Sequence, residues 1–249
     1  MTLLDECYRS FVNLDSRPDR LDHMTQELAR VGLRATRTRG PLPSEWLGDP
    51  ARVETILSRT PGALGCWMGQ TAVMWEALRR GQHAFVMEDD LRFCSDFHER
   101  LAIIEEFLSA EPWDVFWLGG TYHVNPAVWH KDTIGRDAQR TRHPRIVRTY
   151  GAFSTFAYFV NRDSIAAVLR GLDARLPYSV GIDTTFIDIQ PFLHAYAFVP
   201  GCVKQVDGRS DIGDGDTIFS GFAKLGPHWW ADRLEQFDPE TYDWAEAAL

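Results

Sequence analysis

The stretch His83-Ala84-Phe85-Val86-Met87 runs straight into three consecutive acids, Glu88-Asp89-Asp90. A short apolar run without polar alternation, entered from Gly81 and left through charge, predicts a strand covered on both faces. Such strands belong to α/β sheets, which place their ligands outside the carboxyl ends of the strands. The acids therefore stand where a site is expected, and their charge must be balanced. Divalent Mg²⁺ or Mn²⁺ commonly takes one or two carboxylates and completes its shell with phosphate oxygens and water. The plain alternative is that these acids cap the next segment or lie on solvated surface.

The flanking sequence extends the alternation of strands and helices. Tyr8 to Leu14 is strand-like, and Pro18 opens a helix in which Leu21, Met24, Leu28 and Val31 form one apolar stripe that Gly32 closes. Arg34 to Arg39 reads as a short strand and the Pro/Gly-rich Gly40 to Pro50 as a loop. Ala63 to Arg80 is a helix whose wide apolar face predicts deep burial. A helix from about Ser95 to Ala110 and a strand Trp113 to Leu118 follow, with Gly119-Gly120 as a break. Further on come a strand Phe153 to Val160, a helix Asp163 to Leu169 and a strand Ala195 to Val199. The expectation is one α/β domain over 1–249, with 121–144 as a mobile lid or acceptor loop and 205–249 as a C-terminal extension.

Composition narrows the function classes. A net charge of −9 over 249 residues disfavours a long nucleic-acid groove. Cys7, Cys66, Cys94 and Cys202 lack metal-site or disulfide-framework spacing and read as reduced core residues. The opening residues do not resemble a secretory signal, so a cytoplasmic location is expected, with peripheral contact at the inner membrane surface as the form any membrane association would take. No transmembrane segment is expected, because no apolar stretch approaches the ~18–20 residues needed to span a bilayer.

Three segments in series carry a resemblance. Phe11-Val12-Asn13-Leu14-Asp15-Ser16-Arg17-Pro18-Asp19-Arg20 is the first, and Pro61-Gly62-Ala63-Leu64-Gly65-Cys66-Trp67-Met68-Gly69-Gln70 through to Glu88-Asp89-Asp90 is the second. Pro200 with Gln205, Gly208, Arg209, Ser210, Asp211 and Ile212 is the third. Together they resemble glycosyltransferase family 25, of the lipooligosaccharide and collagen-type galactosyltransferases. The resemblance implies a GT-A-type, Rossmann-like α/β/α sandwich with a mostly parallel central sheet. It also implies a nucleotide-sugar donor, usually UDP-linked, and a divalent Mn²⁺ or Mg²⁺. It carries Glu88, Asp90 and Asp211 as metal contacts, and Asn13, Leu14, Arg17, Arg20, Gln70, Asp89 and Ser210 as donor contacts. Turn-forming residues would look the same at 210 and 211; of Arg17 and Arg20, which flank the first turn, one is expected to reach a base or diphosphate with forked donors, and the alternative for Arg20 is a solvated helix residue paired with a nearby acid. The family's usual Ser-His is replaced here by Gly69-Gln70.

The implied reaction moves a hexose to a hydroxyl of a saccharide, glycolipid or hydroxylated acceptor, with inversion, as in lipopolysaccharide biosynthesis. A single displacement needs a base for the acceptor proton. Asp183, before an apolar helical segment, is the candidate, and a helix N-cap is its equal alternative. The Arg136, Arg140, Arg142, Arg145, Arg148 and His143 cluster reads as a solvated face or an anionic-acceptor patch. Trp113 and Trp117 read as core, while Trp129, Trp229 and Trp230 are acceptor platforms in one reading and core in the other; His123 and His130 read as loop residues. Competing functions are a metal-dependent phosphodiesterase or nuclease and a non-catalytic carbohydrate-binding relative.

Overall fold

The computed structural model describes residues 2–122, 138–199, 201–206 and 211–212. In chain order the elements are β1 (Cys7–Asn13), α1 (Pro18–Arg30), β2 (Thr36–Arg39), α2 (Glu54–Arg59), α3 (Pro61–Arg80), β3 (His83–Glu88), β4 (Leu91–Phe93) and α4 (Phe97–Ala110). There follow β5 (Val115–Tyr122), β6 (Ala138–Arg140), β7 (Ile146–Thr149), β8 (Ala152–Val160), α5 (Ile165–Arg175), α6 (Ile182–Ile189), β9 (Ala195–Phe198) and β10 (Val203–Gln205).

Eight strands form one sheet in the order β2-β1-β3-β8-β5-β9-β7-β6, and β10 pairs antiparallel with β4 in a small second sheet. The neighbours β2–β1, β1–β3 and β5–β9 are parallel. β8 runs antiparallel to both β3 and β5, and β7 runs antiparallel to both β9 and β6. Six strands thus point one way and two against them, so the expected mostly parallel sheet is present. Alternation along β3 builds the two cores: Ala84 and Val86 face α2, α3, α5 and α6, whereas Phe85 and Met87 face α1 and α4. All four side chains are fully buried, as a strand covered on both faces requires. The chain is an α/β/α sandwich.

Three local readings change. Gly119-Gly120 does not break the strand; β5 continues through both glycines to Tyr122, paired with β8, and position 119 needs glycine because an added Cβ would stand 2.5 Å from the Val203 carbonyl oxygen of β10. Ile146–Thr149 and Glu54–Arg59 form elements where none was read. In the connection expected over 121–144, residues 121–122 end β5 and 138–140 form β6, and its centre, 123–137, lies outside the described residues with Trp129, His123, His130 and Arg136. Trp229, Trp230 and the extension beyond 212 lie outside them as well. Trp113 and Trp117 are core residues, as expected. Arg142 pairs with Glu111 at 2.9 Å, and Arg145 packs over Phe198 and donates to the Val199 carbonyl.

Candidate functional site

β3 delivers the acids to the carboxyl edge of the sheet, and the turn at Asp89-Asp90 carries the chain into β4. Asp89 and Asp90 are 6% and 7% exposed, so their charges need partners. Arg20, in the first turn of α1, supplies one: its Nη1 lies 2.9 Å from Asp89 Oδ1 and 2.9 Å from Asp90 Oδ2. Asn13, at the end of β1, donates from Nδ2 to Asp89 Oδ2 at 2.7 Å and to the Arg17 carbonyl, while its Oδ1 accepts from Arg37 Nε at 2.8 Å. On Asp90, Oδ2 also accepts from Gln205 Nε2 at 3.0 Å, whereas Oδ1 is buried and has no hydrogen-bond partner among the described residues. Burial and Asp89 push the Asp90 carboxyl up, against the pull of Arg20.

Glu88 is held from the other side. Its Oε1 accepts from Gln70 Nε2 at 3.0 Å and from Thr155 Oγ1 at 3.1 Å, and Tyr158 Oη donates to Gln70 Oε1 at 2.9 Å. Tyr158 thereby orients the amide so that its nitrogen faces the carboxylate. Burial, then the negative charge of Asp90, push the Glu88 carboxyl up to about 8. Thr155 reaches Glu88 because β8 bulges: Gly119 of β5 pairs with Ala157 but Thr121 pairs with Phe153, and Ser154 takes a left-handed φ of 70° between them.

The structure brings most of the sequence-derived candidates to one cavity of about 180 Å³, lined by Leu14, Arg20, Gln70, Glu88, Asp89, Asp90 and Asp211 among others. Asn13 and Arg17 stand behind that lining, Asn13 on Asp89 and Arg17 in an ion pair with Asp211. Ser210 lies outside the described residues. Asp183 is not in the cavity lining; it is the second residue of α6, half-buried, with Gly181 rather than Asp183 in the cap position. Its Oδ1 accepts from the Thr184 N–H at 2.8 Å, and burial pushes its carboxyl up to about 6 despite that bond. Its charge is felt at Glu88, so the two belong to one electrostatic neighbourhood. Sequence reasoning missed Thr155 and Tyr158, which reach the site only through the bulge and the pairing of β8 with β3.

Among the described residues, no three carboxylate, imidazole or thiolate groups form a ready-made metal cage. The residues nonetheless fit a hard cation. Asp89 and Asp90 share the Arg20 guanidinium, Glu88 meets only the neutral Gln70 and Thr155 among the described residues, and Asp90 Oδ1 is a buried acceptor without a donor among them. A magnesium-type ion that uses one or two carboxylates matches that donor set better than an all-protein cage would.

No family model matches the chain. Over 81 residues it is 38% identical to the probable inactive glycosyltransferase 25 family member 3 of Bos taurus, and over 81 residues 37% identical to the inactive glycosyltransferase 25 family member 3 of Homo sapiens. Each match covers 31% of this chain, and the chain spans 13% of the length of each relative. Among solved structures it is similar to protein A197 from STIV, at 12% identity and a TM-score of 0.42 over 80% of this chain and 86% of that one. It is also similar to a glycosyltransferase involved in the glycosylation of the major capsid of PBCV-1, at 10% identity and a TM-score of 0.42 over 80% and 94%. No helix among the described residues is long and apolar enough to cross a membrane.

Proposed function

We propose that the chain is a metal-dependent glycosyltransferase of the GT-A type that moves a hexose from a UDP-sugar to a hydroxyl of a saccharide, glycolipid or hydroxylated acceptor with inversion. The observation that carries this reading is the acidic cavity at the end of β3, where Asp90 Oδ1 is buried without a donor beside a carboxylate-rich wall. The partial identity to glycosyltransferase 25 family proteins supports it.

In this reading Glu88 and Asp90 hold Mn²⁺ or Mg²⁺, with Asp211 available when Arg17 turns away. Such an ion would supply Lewis-acid neutralisation of charge on a diphosphate leaving group. Arg20 fixes the Asp89-Asp90 turn and adds positive charge facing the same space. Gln70, oriented by Tyr158, keeps the Glu88 carboxylate aimed at the cavity. Asp183 takes the acceptor hydroxyl proton; a carboxyl poised near 6 is ionised at neutral pH yet more basic than an exposed aspartate.

Calorimetric titration of UDP, first with Mn²⁺ and then with EDTA, tests the donor half, and release of UDP from UDP-sugars tests transfer. Metal-dependent binding with turnover is the expected result; absence of UDP binding in both conditions overturns the reading. The alternative of a non-catalytic carbohydrate binder is favoured by one observation, that the two curated relatives are named inactive. Sugar-nucleotide binding without UDP release would select it.

A further inference from the structure

The acidic site occupies the carboxyl end of the sheet; a second opening lies at the opposite end. It is a groove of about 320 Å³ lined by Cys7, Tyr8, Arg9, Arg34, Thr36 and Arg80 among others, where β1 and the edge strand β2 begin and α3 ends. At about 3.3 Å per strand residue, Arg9 stands roughly 13 Å from Asn13, so this groove is separate from the acid-lined cavity. Three arginines line the groove in a chain whose net charge is −9. Neither Arg9 nor Arg34 has a carboxylate within ion-pair distance among the described residues, whereas most arginines at the acidic end are paired. Arg80 spends its Nε on Glu76 at 2.7 Å, and its guanidinium lies 4.7 Å above the Tyr8 ring, which holds the plane in place. Such planar, forked donors suit the oxygens of a phosphoryl group.

We propose that this groove is a second ligand site, for a phosphate-bearing anion held by Arg9, Arg34 and Arg80. The ligand is a phosphoryl group, either free in solution or carried by an anionic lipid headgroup. The site is independent of the sugar-transfer reading.

Equilibrium dialysis of ³²P-labelled inorganic phosphate against the full chain, in EDTA and at constant ionic strength, tests the free form. Sedimentation with phosphatidylglycerol vesicles, against phosphatidylcholine vesicles, tests the headgroup form. The expected result is saturable binding of one phosphate per chain, or selective sedimentation with the anionic vesicles. Either must weaken at least tenfold in the Arg9→Gln/Arg34→Gln variant and persist in Arg39→Gln, which removes an exposed guanidinium at the other end of β2. Circular dichroism confirms that the variants are folded, and Arg9→Lys/Arg34→Lys, which keeps the charge but loses the fork, should bind with intermediate strength. Phosphate binding that depends on the two arginines identifies a free anion as ligand, and vesicle binding alone identifies the headgroup. Wild-type chain that binds neither, or binding unchanged in the double glutamine variant, overturns the proposal.

Discussion

The two oxygens of Asp90 have unlike surroundings: Oδ2 meets Arg20 and Gln205, while Oδ1 is buried with no donor. In the proposed reading a cation would meet the second oxygen. Asp90→Asn should therefore lower UDP affinity in Mn²⁺ at least tenfold, leave the weaker EDTA background unchanged and preserve the circular dichroism spectrum; calorimetry in both buffers reads this. Asp183→Asn should behave differently, with turnover reduced about 100-fold or more and UDP affinity intact, the range expected for loss of a general base. The sign of the pH dependence follows from the same group. A base must be ionised to accept a proton, so the wild-type rate should rise with pH through about 6, and a rate profile flat across that region would remove Asp183 from the role. A stability loss with normal turnover would leave it only its bond to the Thr184 N–H and its place in the first turn of α6.

At the scale of elements, α3 approaches the start of the 41–50 segment so closely that Gly65 has no room for a side chain: a Cβ there would lie 2.5 Å from the Pro41 carbonyl oxygen. Backbone cannot swing aside as a side chain can. Gly65→Ala should cost about 2 kcal/mol, seen as a lower urea midpoint with an unchanged slope. Gly69 is constrained in a related way, since a Cβ there would stand 2.6 Å from Val12 Cγ1. Gln70 meanwhile bridges Tyr158 and Glu88 from within the core. The helix, the strand that ends in acid and the first turn at Asn13 to Arg20 are all legible in the sequence, because each pairs a strong local signal with a sharp stop: Pro18, Gly81 or the acids themselves. The β10–β4 pair is not legible, since Val203–Gln205 and Leu91–Phe93 are three-residue strands whose partner is far along the chain. Thr155 is hidden for a similar reason: only the cross-strand bulge turns it toward Glu88.

Taken as a whole, the molecule concentrates raised carboxyls in one region, with Glu88 near 8, Asp183 near 6 and Asp90 also raised. The folded state therefore holds protons that the unfolded chain has released, so in EDTA stability should fall as pH rises from about 5 to about 8, by at most about 1.4 kcal/mol per pH unit for each fully linked group. Mn²⁺ should flatten that decline, and melting curves across the range with and without the ion check it. Surface acids such as exposed Asp19 and half-buried Glu76, whose arginine partners hold their carboxyls at about 2, act in the opposite sense and only at lower pH. The position of β8 also bears on how the chain is made. β3 is the strand that ends in the acids, yet its neighbour on one side is β8, and residues 89–151 are polymerised between the two. At ~5–20 residues per second a ribosome needs roughly 3–13 s to cross that interval. For those seconds the apolar strand has one unpaired hydrogen-bonding edge, so a nascent chain paused before Val160 is the species most exposed to misassembly and to capture by chaperones.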